Sequence, residues 1–230
     1  MKKIVSIISI FAIILSATQF VLADYSDDTT ITDGQFAYKK GTNNILAYVG
    51  TTGICEIPEN TTLKGLTPSW AKDAAPITKL IINDNVDINM IISGELVNLN
   101  KLKEVEIKEG VTEIPYQFLK GCNNLEKITL PSTIEIIDDE AFSECSKLST
   151  LDLNDGLQSI GRYAFSETTL SGNLNIPDTV THMDVTAFTD CGNLDKVHMS
   201  NNIECEKDKN YCYWFPQTDI KEINLSLIHI

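Results

Sequence analysis

One phrase recurs along this chain at a fixed interval, and it limits the possible folds more than any composition does. Apolar residues in the order apolar-x-x-apolar-x-apolar stand at Ile77/Leu80/Ile82, Leu102/Val105/Ile107, Leu125/Ile128/Leu130 and Leu148/Leu151/Leu153. They return at Leu194/Val197/Met199 and Ile220/Ile223/Leu225, and a further copy, Leu174/Ile176, has Ser171 at its first place. The central residues 105, 128, 151, 174 and 197 follow one another in 23-residue steps, whereas Leu80 to Val105 is 25 and Val197 to Ile223 is 26. A second phrase travels with the first. Leu130, Ile134, Ile137 and Phe142 recur as Leu153, Leu157, Ile160 and Phe165, and again as Ile176, Val180, Met183 and Phe188. In Ile107, Val111, Ile114 and Phe118 the aromatic comes one residue early.

Alternation within "ITL" or "LDL" predicts a short strand with one buried face. Pro131 and Pro177 follow it, where a proline ends pairing without breaking a ladder. The Phe-containing stretch predicts a turn or two of helix, or irregular coil. One such coil cannot bury its own Leu, Ile and Phe, so each must stack on the next. Stacking sets equivalent strands side by side in a parallel sheet, about 4.8 Å apart. The expected fold class is an α/β repeat solenoid, with the array over residues 54–224 and its regular part over about 100–196.

The phrases "AFSECSKLSTLDL", "AFTDCGNLDKVHM" and "FLKGCNNLEKITL" resemble the BspA-like, or Treponema pallidum-type, leucine-rich repeat. The resemblance is close over residues 100–224 and looser over 54–99. Its departures are Ser171, Thr168 in a slot otherwise held by Cys, and the irregular last coil. It implies a horseshoe-like right-handed coil with a parallel sheet on the concave face and short helices or irregular coil opposite. It also implies a secreted or cell-surface protein, of a kind that includes adhesins binding host proteins or other cells.

Both ends depart from the repeat. Lys2 and Lys3 followed by the apolar run Ile4–Leu15 and by Val21-Leu22-Ala23 predict a signal peptide over residues 1–23. The run is too short to favour an uncleaved span. Residues 24–53 read as a polar lead-in and an N-terminal β cap. "GQFAYKKGTNNILAYVG" predicts a hairpin around Gly41-Thr42-Asn43-Asn44, and Cys55-Glu56-Ile57-Pro58 opens the first coil. At the far end "LSLIHI", residues 225–230, is the translation of a transposase adapter used in sequencing libraries. The native protein is therefore expected to continue past Asn224.

Charge and motif content narrow the function. Lys and Arg number 18 against 32 Asp and Glu, a net charge of −14, which disfavours phosphate backbones and anionic headgroups. No nucleic acid and no membrane contact beyond the leader are expected. No glycine-rich phosphate loop, HExxH or nucleophile phrase occurs, so no cofactor and no catalysis are expected of this chain. Cys122, Cys145 and Cys191 share one slot with Thr168. Such a slot wants a small buried side chain, and packing accounts for it better than a Cys122–Cys145 bridge. Cys205 and Cys212 flank "EKDKNY" and could close a disulfide in an exported protein. Cys191, His198, Cys205 and Cys212 lack the close pairs of a structural zinc site.

What remains is surface. The residue between the last two apolar strand positions should face outward: Ile81, Glu106, Thr129, Asp152, Asn175, His198 and Asn224. Glu106, Thr129, Asp152, Asn175 and His198 form the candidate binding face for a protein or cell-surface ligand, with a solvated face as the plain alternative. Tyr211, Tyr213 and Trp214, next to Phe215, form a possible aromatic patch. Trp214 or Phe215 is also expected to fill the last coil's core. Asn60-Thr61-Thr62 is a glycosylation sequon. The functional expectation is an exported protein-binding or adhesion module. The alternative is an accessory repeat region of a longer, truncated secreted enzyme.

Overall fold

A strand too short to pair with itself must hand its backbone hydrogen bonds to the next copy, and the chain winds accordingly. The structure is a computed structural model and describes residues 29–31, 36–39, 42–48, 53–63, 77–88, 99–203 and 215–224. The leader, the 225–230 tail, Cys205, Cys212, Tyr211, Tyr213 and Trp214 lie outside the described residues.

Strands β1 (Thr29–Ile31), β2 (Phe36–Lys39) and β3 (Asn44–Tyr48) run antiparallel in sequence order, the last two forming the expected hairpin. The rings of Phe36 and Tyr48 meet across it at 5.4 Å. β4 (Ile54–Ile57) opens the first coil, and β5 (Thr62–Leu63) closes it by pairing parallel to β3. The hairpin is thereby joined to the solenoid through backbone bonds, with buried Ile45 and Leu63 beneath the junction.

Each following coil contributes up to two strands. The coils bring β6 (Lys79–Ile82), β7 (Glu104–Ile107), β8 (Glu113–Ile114), β9 (Lys127–Thr129), β10 (Ile136–Ile137) and β11 (Ser159–Ile160). β12 (Gly172–Asn175), β13 (His182–Met183), β14 (Asn193–His198) and β15 (Asp219–Asn224) complete them. The leucine-phrase strands form two parallel sheets, β4-β6-β7-β9 and β12-β14-β15, and the second strands form a third, β8-β10-β11-β13. Register follows the repeat. Leu80 pairs with Val105 and Val105 with Ile128; Leu174 pairs with Val197 and Val197 with Ile223. The longer 25- and 26-residue steps are absorbed outside the strands.

The interior is one column of apolar side chains. Phe142, Phe165, Phe188 and Phe215 stack with centroids 5.3, 5.2 and 5.3 Å apart. Phe215 thus takes the last coil's aromatic place. In the coil before Phe142, Leu119 holds the aromatic's place: its N–H donates to the Ala141 carbonyl as that of Phe142 donates to Ala164. Phe118, one residue early, is buried beside it. Each such side chain contributes roughly 1.5–3 kcal/mol by area, before the entropy of ordering the coil.

The helical part of the α/β expectation is corrected on the aromatic side: among the described residues there is no helix. Backbone N–H groups there alternate between two uses. Phe118, Lys120 and Cys122 donate to carbonyls three residues back, while Gln117, Leu119 and Gly121 donate to Asp139, Ala141 and Ser143 of the next coil. Glu140, Phe142 and Glu144 repeat this with Arg162, Ala164 and Ser166. A helix would need every one of these groups internally. Left-handed residues at Gln117, Glu140 and Tyr163, and at Gly121, Glu144, Glu167 and Asp190, enforce the alternation.

The shared cysteine slot is a packing position. Cys55, Cys122, Cys145 and Cys191 are buried thiols outside any disulfide. The Cys145 thiol donates to the Leu119 carbonyl at 3.3 Å and that of Cys191 to the Phe165 carbonyl at 3.0 Å. Thr168 serves the same place by donating from Oγ1 to Phe165 O at 2.9 Å. Burial pushes the Cys55 and Cys145 thiols well up and that of Cys191 up to about 12.

Candidate binding face

Along the leucine strands apolar side chains point into the core, so every second residue faces outward. Glu56, Ile81, Glu106 and Thr129 stand in register, as do Asn175, His198 and Asn224. Asp152, expected between Thr129 and Asn175, is exposed but belongs to no strand. The charges along this row are arranged unevenly.

In the early coils the acids are already engaged. Lys79 Nζ lies 3.1 Å from Glu104 Oε1 and 3.2 Å from Glu106 Oε2. Lys108 bonds Glu106, and Lys127 reaches Glu104 at 3.8 Å. The hydrogen bonds from Lys108 and then Lys79 hold the Glu106 carboxyl below the usual carboxylate range. Those to Glu104 and then Glu106 raise the Lys79 ammonium. Glu106 is therefore a member of a cross-coil ion network. Sequence reading took the middle outward row but left out the one two residues before it: Lys79, Glu104 and Lys127 alternate in sign. The same step of 25 and then 23 residues marks them. At the other end Lys196 pairs with Glu222 at 2.8 Å, and Lys221 with Asp195.

Between these networks the face is unneutralised. Thr129, Asp152 and Asn175 are exposed and His198 is half-buried; of these only Asp152 and His198 can carry charge, and no ion pair joins either to a described residue. Here the sheet is also interrupted. β9 and β12 are each edge strands, and Thr150–Leu153, the coil between them, carries no backbone hydrogen bond to either. Pro131 lacks the N–H that Lys108, one coil earlier, gives to the Ile82 carbonyl. Asn154 gives its side-chain amide to the Pro131 carbonyl at 2.8 Å and takes the Gly156 N–H at 2.7 Å. A cleft of about 360 Å³ opens between residues 127–130 and 150–154.

Among the described residues no group of three His, Cys, Asp or Glu side chains is placed to hold a metal ion. No helix there is long and apolar enough to cross a membrane. Asn60 of the sequon is exposed, in a left-handed turn, and its carbonyl accepts from Asn43.

A parallel solenoid whose coils repeat Leu-x-x-Leu-x-Leu strands defines a leucine-rich repeat protein. Residues 67–195 and 112–228 match the model of the BspA type leucine rich repeat region, in six copies, and the chain belongs to that family. No curated protein sequence matches it. It is similar in fold to the T. pallidum Leucine Rich Repeat protein, at 18% identity and a TM-score of 0.50, over 85% of this chain and 81% of that one. A leucine rich cell surface protein of Faecalibacterium prausnitzii is similar at 20% identity and TM-score 0.51, over 75% of this chain and 54% of that one. A leucine-rich repeat protein of Eubacterium ventriosum gives 20% and 0.51, over 73% and 51%. The chain thus spans about half the length of the last two.

Proposed function

We propose that this protein is an exported, cell-surface or secreted binding module that engages a protein ligand through the outward face of its leucine sheets, without catalysis of its own. One observation carries the reading. The face is charge-neutralised at both ends and left open at Thr129, Asp152, Asn175 and His198. The acidic side chain of the central coils, Asp152, is exposed with no ion-pair partner among the described residues, which leaves it available to a partner's cationic group. The leader-like residues 1–23 and the description of the F. prausnitzii relative as a cell surface protein support an extracellular site of action.

The test screens the full chain against an array of purified extracellular proteins. Variants Asp152→Lys and His198→Glu are compared with Glu167→Lys, an exposed change on the turn side. Loss of binding in the first two alone is expected. Binding that survives both, or is lost equally in Glu167→Lys, would overturn the assignment.

A further inference from the structure

We propose that the corner where the coils turn from the leucine sheets into the third sheet is a glycan site, a polar groove that takes a neutral, extended oligosaccharide lying along the solenoid axis. It is separate from the protein-binding face, and neither reading depends on the other.

The groove has a volume of about 590 Å³ and crosses successive coils from Ser132 to Asn202. One wall is a row of equivalent residues, Glu135, Gln158 and Thr181. Backbone bonds set their spacing: the Gln158 N–H donates to the Glu135 carbonyl at 2.8 Å, and the Thr181 N–H to that of Gln158 at 3.0 Å. The residue before each, Ile134, Leu157 or Val180, is buried and fixes the row against the core. The other wall is held as firmly. Asn202 Nδ2 donates to the Asp178 carbonyl at 2.6 Å, and the Asp178 carboxylate accepts the Asn201 N–H at 3.0 Å. Between Thr133 and Thr179 in this wall stands Gly156, where no side chain rises into the groove. Against these fixed walls the side chains of Glu135, Gln158 and Thr179 make no hydrogen bond or ion pair to a described residue.

The groups on offer select the ligand class. A carboxylate accepts, and an amide and a hydroxyl both donate and accept, which is the set that pairs with neighbouring hydroxyls of a sugar. Equivalent residues recur at a coil step of about 4.8 Å. An extended β-linked sugar chain advances by a closely similar length per unit, so each coil can meet one sugar. No Lys, Arg or aromatic side chain lines the groove, so a phosphate, sulfate or uronate finds no counter-ion and a flat apolar molecule no wall. The net charge of −14 also repels anionic chains. A second hollow, of about 240 Å³, lies on the same corner at Gly110, the place that Gly156 holds two coils later. Each bond to a sugar hydroxyl replaces one to water, so a single sugar is held weakly and chain length supplies the affinity.

The test titrates the isotopically labelled full chain with neutral β-1,4-linked gluco-, manno- and xylo-oligosaccharides, to millimolar concentration, and follows backbone amides by NMR. In at least one series the amides of Gly156, Gln158 and Thr181 should shift together. Affinity should rise about tenfold or more from disaccharide to hexasaccharide. The double variant Gln158→Ala, Thr179→Ala should weaken the hexasaccharide about tenfold. Glu135→Gln should retain most of the affinity, because an amide still meets a hydroxyl. Asp152→Lys, on the leucine face, should leave it unchanged. Shifts in no series would overturn the proposal, as would affinity independent of chain length or tighter binding of uronate or sulfated chains. Loss of binding in Glu135→Gln would make the groove a cation site instead. Loss in Asp152→Lys would move the sugar to the leucine face and overturn the groove. The protein array tests that face independently.

Discussion

The ring of Phe215 stacks on that of Phe188 at 5.3 Å and 25°, although the chain between them is longer than in any coil before. The aromatic column therefore outlasts the strict repeat, and its end member differs from its interior. Phe165 is fully buried between two rings, whereas Phe215 is half-buried against one. Phe165→Ala should cost about 3–5 kcal/mol in urea unfolding. Phe215→Ala should cost about 1 kcal/mol, mostly the stacking contact. Equal losses at both positions would mean that the column does not stabilise the array from its centre.

The thiol slot makes alkaline stability testable. Burial raises the Cys191 thiol from an ordinary 9.0 to about 12, and that of Cys145 also rises. A group whose folded pKa is raised binds its proton more tightly when folded, so stability falls with pH once the unfolded thiol ionises. Its contribution is complete below pH 9 and declines between 9 and about 12. Cys191→Ala should flatten the decline in urea midpoint over that window. A wild-type midpoint independent of pH there would contradict the burial. In the native protein at pH 8, iodoacetamide should label none of Cys55, Cys122, Cys145 or Cys191 by residue-resolved mass spectrometry.

The ion network predicts a titration in the opposite sense. Lys108 and then Lys79 stabilise the charged form of Glu106, so its folded carboxyl titrates below the ordinary 4.5. The stabilisation is present above 4.5 and is lost as pH falls through the lowered value. In carboxyl-detected NMR, Lys108→Met should move the Glu106 midpoint back up, and Lys79→Met should do so by less. An ordinary midpoint in the wild type would remove the network and return Glu106 to the free face.

The strand half of each coil was readable from the sequence because two periods coincide there. Alternation fixes which of Leu80, Val105 and Ile128 turn inward, and the repeat fixes which residues lie side by side. The turn half was not readable. Gln117, Glu140 and Tyr163 adopt left-handed backbone without being residue types that favour it. Gln117 and Glu140 are held there by N–H groups given to Asp139 and Arg162 of the next coil, which local propensity does not encode. In the companion series only Gly121 and Asp190 are residue types that carry a cue. Pro131 reads only as the end of a strand, and the N–H it lacks would face the earlier coil, so nothing in the sequence marked the sheet interruption on its other side. The face residues were placed by register alone. Their neutralisation at Glu106 needed the neighbouring row.

Substitutions at two positions on the turn side separate crowding from backbone strain. Gly161 occupies the slot that Asp138 and Asp184 fill in adjacent coils, and a Cβ there would meet Asp139 N at 2.6 Å and the Asp138 carbonyl carbon at 2.7 Å. Neither is the end of a flexible side chain, and the same stretch binds the next coil: Asp139 Oδ1 accepts the Arg162 N–H at 2.6 Å. Gly161→Ala should therefore cost about 1–3 kcal/mol through forced displacement of one coil against the other. Glu167 poses the reverse case. Its φ of 56° accompanies the N–H it gives to the Thr189 carbonyl at 3.0 Å, and its side chain is exposed, with no ion pair to a described residue. Left-handed backbone costs a non-glycine residue about 1 kcal/mol, so Glu167→Gly should gain up to about that amount, less the added freedom of glycine in the unfolded chain. Glu167→Ala keeps the strain and should be nearly neutral. Urea midpoints with an unchanged dependence on denaturant would measure all three. A Glu167→Gly midpoint below that of Glu167→Ala would show that the turn stores no strain.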